Sequence, residues 1–380
     1  MSTYLDIHAL QAVPPSNINR DETGSPKTAT YGGVRRARVS SQSWKRAIRQ
    51  SFGTFLDTTE IGVRSKRLVD KIADEIVAVD SSLTGEAHNL AVDVLAAAGI
   101  KTEKPKRGKK DETDAEGSAE SGYLIFLSNL QASNLAEYAV ETHRAGNKPA
   151  KKDVVNIANS DHSFDIALFG RMVAELTDLR VDAAAQVAHA ISVHAVDNEF
   201  DYFTAVDDNA TGDHAGAGMI GTVEFNSSTL YRYATVNLDA LNQHLGDAEA
   251  TSRAAQAFVQ AFVTSMPTGK QNTFANRTLP QAVVVSLRTD QPVNLVGAFE
   301  VPVELSALNG GPSRLASTAD ALVEHANALA SAYNAKPKAT WVLVAHKDAS
   351  ALASLGDEVD LTQMLSAVAQ ATTDSLQVPA

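Results

Sequence analysis

Hydrophobic and polar positions along the chain divide it into alternating strand and helix candidates. Leu5 to Val13 reads as a strand, with Leu5, Ile7, Ala9 and Gln11 on one face and Asp6, His8, Leu10 and Ala12 on the other. Pro14-Pro15 are expected to end it. A Gly/Ser/Thr-rich loop leads to Gly32-Gly33, followed by a short basic strand, Val34 to Val39, and a helix opening at Ser40-Ser41. Strand, loop and capped helix in this order fit the opening of a βαββαβ unit. Residues from about 60 to 100 read as helical. Tyr123 to Ser128 is a buried strand, with a helix near Ala132–Arg144, and Asp165 to Phe169 is a further apolar strand. Gln186 to His194 alternates with period two, but its alanines also permit a helix, so its type stays open. Leu230 to Leu238 is a strand, Ala248 to Met266 a helix stopped by Pro267, and Val283 to Leu287 a strand. Helices near 314–333 and 358–372 flank a last strand, Thr340–Ala345. No internal repeat is visible. The expectation is a mixed α+β chain with a central sheet and two insertions.

The segment Lys101 to Gly122 breaks this pattern. It runs from basic Lys-Pro-Lys-Arg-Gly-Lys-Lys into acidic Asp-Glu-Thr-Asp-Ala-Glu and then small residues. Such a composition buries too little apolar surface to fold alone, which makes 101–122 a mobile loop inside an inserted domain. A tether for a polyanionic ligand through its basic half is the functional alternative.

Composition changes the picture mainly through charge. The 380 residues are 44% hydrophobic and 21% charged, ordinary for a globular protein, and contain no cysteine. A disulfide framework and thiolate metal sites are thereby excluded. No apolar run approaches the roughly 18 residues that would span a bilayer, and the N-terminus has no secretory-signal pattern. A cytoplasmic protein with no membrane partner is expected, and its three sequons (Asn209, Asn226, Asn276) are chance matches. Net charge is −12, which taken whole argues against nucleic-acid binding. The charge is unevenly spread, however. Between Asp21-Glu22 and Asp57 there is no acidic residue, whereas Lys27, Arg35, Arg36, Arg38, Lys45, Arg46 and Arg49 all fall there. Local field governs binding more than net charge does, so this stretch can hold a phosphate backbone.

The helix at Ser41–Phe52 sharpens that reading. Trp44, Ala47, Ile48, Ser51 and Phe52 share one face, while Lys45 and Arg49 stand a turn apart beside it, with Arg46 adjacent. Ser40 and Ser41 lie at the helix N-terminus, where free N–H groups and the dipole favour phosphate. A solvated cationic face on an ordinary amphipathic helix accounts for the spacing equally well.

The run Gly32 to Arg49 (GGVRRARVSSQSWKRAIR), preceded by Asn19-Arg20-Asp21, resembles the N-terminal signature of the CasC family, the RNA-coating RAMP-type backbone subunits of the type I-E CRISPR Cascade complex. Asp165–Met172, Val187–Ser192 and Phe203–Asp208 are similar to further family stretches, in the family's order and spacing. The resemblance runs to about residue 290. It implies an RRM-like (ferredoxin-like) α+β palm with an inserted helical finger and an extended thumb loop. Palm segments would lie at 1–58 and 161–194, the finger at 59–160, the thumb at 195–225, and palm with C-terminal α/β completion at 226–380. Copies of the chain would stack as a filament along CRISPR RNA beside other Cascade subunits. The guide would be left exposed to pair with target DNA, so that base pairing reads sequence while protein grips the backbone, as in another RNA-guided system. DNA cutting would fall to a separately recruited helicase–nuclease.

Residue by residue, the resemblance assigns RNA-backbone contacts to Arg20, Lys27, Ser40, Ser41, Gln42, Lys45, Arg46 and Arg49. Gly170-Arg171-Met172 matches a loop in which an apolar side chain packs on a displaced base, a contact that suits a flexible, polarizable methionine; a core methionine is the alternative. Tyr202-Phe203-Thr204 matches the thumb's aromatic pair, which either stacks on the base or anchors the thumb. Met219 is the bulky apolar candidate near the Gly- and Ala-rich thumb tip, and Lys270-Gln271-Asn272 forms a second phosphate contact by placement. No cofactor, metal ligand set or catalytic residue is expected. Adjacent carboxylates such as Asp207-Asp208 diverge in an extended chain, and Gly216–Gly221 (GxGxxG) lacks the strand-then-helix context of a dinucleotide site. An RRM-like endoribonuclease processing CRISPR RNA through a histidine is the rival reading. An enzyme using the Gly216–Gly221 loop is a third.

Overall fold

The computed structural model describes residues 2–103, 119–173, 176–205, 219–305 and 310–377. In chain order the elements are β1 (Tyr4–Ser16), β2 (Thr28–Tyr31), β3 (Val34–Val39), α1 (Ser41–Phe52), β4 (Gly62–Ser65), α2 (Leu68–Val79), α3 (Ala87–Ala97), β5 (Thr102–Glu103), β6 (Glu120–Ser121), β7 (Ile125–Ser128), α4 (Asn129–Arg144), α5 (Lys151–Ala158) and α6 (Phe164–Phe169). They continue with β8 (Ala185–Val187), β9 (Ala190–Ser192), β10 (Glu199–Ala205), β11 (Met219–Asn237), α7 (Leu238–Leu245), α8 (Ala248–Thr264), α9 (Gln271–Phe274), β12 (Ala282–Arg288), α10 (Arg314–Ala332), β13 (Ala339–Val344), β14 (Asp357–Glu358) and α11 (Leu361–Gln377). Two compact units form: Met1–Ser51 with Ala185–Asp239 and Ala255–Ala380, and Phe52–Ala184 with Ala240–Ala254.

The first unit is built on a sheet ordered β14-β13-β12-β1-β11-β9-β3-β2, with β8 also paired to β11. Its centre, β12-β1-β11-β9, is antiparallel throughout. With α1 and α8 it reproduces the ferredoxin-like βαββαβ arrangement, in which the first strand lies between the last and the third. β1 and β12 are buried along nearly their whole length, because helices cover both sheet faces. Trp44 of α1 and Phe262 of α8 meet the side chains on one face. On the other, Ala319 and Leu322 of α10 join Leu10, Tyr231, Val284 and Val342 in a separate core. The β2–β3 hairpin turns through Gly32 and Gly33 at φ +60° and +77°. That two-residue turn needs left-handed backbone at both positions, and a Cβ on Gly32 would also strike the Glu300 carbonyl.

The second unit is mainly helical. α2, α3 and α4 bury Leu68, Ile72, Ile76, Val94, Leu95, Leu135 and Val140 against one another, and β4 pairs with β7 beside them.

The structure corrects several expectations. Asp165–Phe169 is not a strand but most of the helix α6, whose residues from Phe164 to Leu168 are all buried. A short run enclosed on every side carries no periodicity to separate helix from strand. β1 continues through Pro14-Pro15 to Ser16, with the register shifting between Val13 and Ser16. The region expected to be helical from about 60 contains a strand, Gly62–Ser65. The ambiguous stretch at 186–194 resolves into two short strands, β8 and β9. Most of the expected mobile loop, 104–118, lies outside the described residues, while its ends pair as β5 and β6.

Candidate nucleic-acid interface

The N-terminus of α1 is closed by its own neighbours. The Ser40 N–H donates to Asn19 Oδ1 (2.8 Å), the Ser41 N–H to His189 Nδ1 (2.9 Å) and the Gln42 N–H to Ser40 Oγ (3.3 Å). The amides of Ser40, Ser41 and Gln42 are therefore occupied, and Ser40, 5% exposed, serves as a local cap. What this helix end presents outward is side chains instead. Ser41 is half-buried, and Gln42 and Arg46 are exposed.

His189 was not singled out by sequence. Because Nδ1 accepts from Ser41, the neutral ring carries its proton on Nε2, as a donor facing outward from an exposed residue. Burial, then the charges of Arg38 and Lys27, hold its pKa below the ordinary histidine value. A ring in this tautomer has no lone pair on Nε2 and is poorly suited to act as a general base there.

Cations gather around it. The Lys27 N–H donates to the Asn19 carbonyl and the Arg38 N–H to the Lys27 carbonyl, both at 2.9 Å, which binds residues 19–27 to β3. Arg20 is exposed, bridged through its backbone to Pro26. The Asp21 carboxylate beside it turns onto its own loop, accepting from Thr23 Oγ1 and from the Thr23 and Ser25 amides. These bonds, the Thr23 hydroxyl foremost, depress its pKa. Gly269 packs so closely on Ile18 that a Cβ would fall 2.3 Å from the Ile18 carbonyl. That contact sets left-handed Lys270 (φ 50°), Gln271 and exposed Asn272 alongside residues 18–20. Lys45 and Arg49 are half-buried, and burial lowers the Lys45 pKa. Among the described residues none of Arg20, Lys27, Arg38, Lys45, Arg46 and Lys270 forms an ion pair. In a chain of net charge −12, that is a concentration of positive charge without carboxylate counter-ions among the described residues.

Beneath α1 lies a second group that sequence did not reveal. The Arg232 guanidinium sits 3.7 Å from the Trp44 ring centroid and 4.3 Å from that of Phe262. It donates to Gln11 Oε1 at 2.7 Å and to the Phe262 carbonyl. The side chain is 1% exposed, and burial lowers its pKa to about 9. Trp44 thus seats α1 on a buried cation.

Two arginines leave the candidate set. Arg171 is 2% exposed, and its guanidinium donates to the carbonyls of Leu179, Phe126 and Ala158 and to Gln131 and Asn159 side-chain oxygens. It ties together loops of the second unit and has no donor left for RNA. Arg36, fully buried, likewise bonds the carbonyls of Tyr31, Ser192, Phe299 and Glu300. Met172, next to Arg171, is 82% exposed, which excludes a core role.

In the stretch 195–225, where a thumb is expected, β10 pairs with the first part of β11 from Glu199↔Phe225 to Ala205↔Met219. Phe200, Tyr202 and Thr204 alternate with Phe203 along β10, and all four are exposed. Phe203 stands opposite Gly221, where a Cβ would lie 2.5 Å from its ring. Residues 206–218 and the side chain of Met219 lie outside the described residues. The segment after Gly216–Gly218 is a strand, so the GxGxxG run does not open a helix. Among the described residues no three His, Asp or Glu side chains cluster as a metal site, and no helix is long and apolar enough to cross a membrane.

A family model described as CT1975-like protein matches residues 5–370. A solved structure described as "CRISPR RNA-guided surveillance complex, pre-nicking" is 33% identical, covering 96% of this chain and 100% of its own, with a TM-score of 0.80. A second, described as "CRISPR RNA-guided surveillance complex", is 29% identical over 96% of this chain and 99% of its own, with a TM-score of 0.68. No curated protein matches.

Proposed function

The chain belongs to the CT1975-like protein family, and from that premise we propose that it is a non-catalytic, guide-RNA-binding backbone subunit of a Cascade-type surveillance complex. Several copies line one CRISPR RNA, alongside the other subunits, and hold it for pairing with target DNA. The observation that carries this reading is the set of cations around α1 and the 18–27 loop that have no ion pairs among the described residues. Their natural counter-ions are phosphates, and each contact with single-stranded RNA adds about 0.7 to the salt slope of binding. His189 Nε2–H, Lys27 and Arg38 supply donors at one end of α1, and Lys45 and Arg46 continue along it. The exposed aromatics of β10 offer flat faces to an unstacked base, a contact worth roughly 1–3 kcal/mol.

Size-exclusion chromatography with light scattering tests this, using the full chain with and without a CRISPR RNA at low and high salt. Wild type is expected to form a large, salt-sensitive assembly with intact RNA. Lys45→Ala/Arg46→Ala should stay small and lower the salt slope by about 1.4. Cleavage of the RNA would instead favour the endoribonuclease reading. A double variant that assembles like wild type would mean that the α1 cations are only a solvated face.

A further inference from the structure

On the sheet face opposite α1, a cavity of about 510 Å³ opens between the sheet, the C-terminal turns of α10 and the segment leading into β14. None of its lining residues is among the cations described above, and every one lies in the first unit. The volume is in the ordinary range for a small-molecule site.

Its floor is polar where a sheet interior would normally be apolar. His8, 3% exposed, uses Nδ1 on the Tyr231 hydroxyl at 2.9 Å. The same hydroxyl accepts from the Leu295 N–H and donates its one proton to Asn294 Oδ1 at 3.2 Å, so His8 Nδ1–H is the donor of their pair. His8 Nε2 has no hydrogen-bond partner among the described residues, although the side chain lines the cavity. Burial, helped by the Arg288 charge, lowers the His8 pKa to about 3, so the ring is neutral near pH 7 and, with its proton on Nδ1, accepts a single hydrogen bond at Nε2. Ser286 and Thr340, whose hydroxyls are 3.2 Å apart, extend the polar floor. Leu295, Leu329 and Leu355 form apolar walls. At the mouth stand exposed Lys336 and Lys338, neither of them in an ion pair among the described residues, with Tyr333, 74% exposed, and the single carboxylate of Asp357. Arg288, also in the lining, is held by Asp290.

A wholly apolar occupant would leave His8 Nε2 without a partner in a desolvated position, which is costly. A bare ion would be stripped of water against leucine walls. A planar heterocycle meets both demands, with hydrogen-bonding edges and apolar faces, and the lysine-rich mouth favours an anionic tail. We propose that this cavity binds a nucleoside monophosphate, with the base edge on His8 Nε2 and the Ser286–Thr340 hydroxyls and the phosphate toward Lys336 and Lys338.

Isothermal titration of the full chain with AMP and UMP, and with adenosine and uridine, tests the assignment. The monophosphates are expected to bind about tenfold tighter than the nucleosides, as two rim charges allow. Lys336→Ala/Lys338→Ala, changed only at exposed positions, should remove that difference. His8→Phe keeps the bulk and should weaken all four ligands about tenfold. Lys45→Ala/Arg46→Ala should leave nucleotide binding unchanged. Absence of heat with every ligand at millimolar concentration would overturn the proposal. So would equal binding by the rim variant, or loss of binding in Lys45→Ala/Arg46→Ala, which would put the nucleotide on the RNA interface instead.

Discussion

Replacing Trp44 by leucine keeps apolar bulk under α1 but removes the ring against which Arg232 stacks. The indole N–H has no hydrogen-bond partner among the described residues, so the change breaks no hydrogen bond there. It removes packed area and a desolvated cation–π contact at 3.7 Å, the latter worth about 2 kcal/mol. Arg232→Met removes the same contact from the other side. It also strands Gln11 Oε1 and the Phe262 carbonyl, at a cost of about 1–3 kcal/mol each, while relieving several kcal/mol of charge desolvation. Those side effects belong to one residue only and cancel in a double-mutant cycle, which isolates the ring–guanidinium term. Urea unfolding followed by fluorescence supplies all four corners. Trp341 of β13 lies in the same unit, 8% exposed, and remains as the probe in every variant. The expected coupling is about 2 kcal/mol, near thirtyfold in the folding constant. A coupling below about 0.5 kcal/mol would refute the claim that the buried cation seats the helix, since unconnected sites add to within that error.

Two further expectations concern buried charge. Burial raises Asp6 to about 6 and lowers His8 to about 3. With its folded pKa below 6.5, His8 loses stabilisation as pH falls from 6.5 toward 3, whereas Asp6, raised above 3.8, gains it as pH falls from 6 to 3.8. Their opposed slopes keep this pair's contribution level between pH 6 and 4, with the loss emerging below. In Asp6→Asn the decline should begin near pH 6.5 and reach an extra 2–3 kcal/mol or about that by pH 4, read from urea midpoints by Trp341 fluorescence; parallel profiles for the two proteins would contradict it. Arg171→Met should lower the thermal stability of the second unit by about 3–5 kcal/mol, because several buried acceptors lose their donor. RNA affinity of the folded fraction should be unchanged; a selective loss of affinity at full stability would return Arg171 to the interface.

What could be read from the chain was whatever local pattern decides. The edges of β3 and the N-terminus of α1 follow from Val34–Val39 and Ser40-Ser41, and the apolar run at 283–287 marks β12. The cation line on α1 follows from helical spacing alone. What escaped depends on partners distant in sequence. Arg36 and Arg171 look like surface cations until the carbonyls of Phe299 and Ala158 are brought to them. His189 reaches Ser41 across 148 positions, so no spacing rule connects them. Arg232 alternates along a strand as any polar residue would, and only the packing of α1 and α8 on the sheet turns it inward. The polar floor formed by His8, Ser286 and Thr340 is assembled from three strands, each of which reads as plain core by itself.

The 19 residues of β11 serve two structures at once. From Asn226 to Asn237 the strand is clamped in the sheet along β1, with β8 and β9 on its other edge. From Met219 to Phe225 its strand partner is β10, while Asn17, Ser25 and Asn198 bond Glu224 and Phe274 packs on Phe225 near the base. At about 3.4 Å per residue this is one strand some 60 Å long, continuous from the sheet into the hairpin. Any load on the hairpin is therefore passed along a single backbone into the strand that neighbours β1, past the register shift of β1 between Val13 and Ser16.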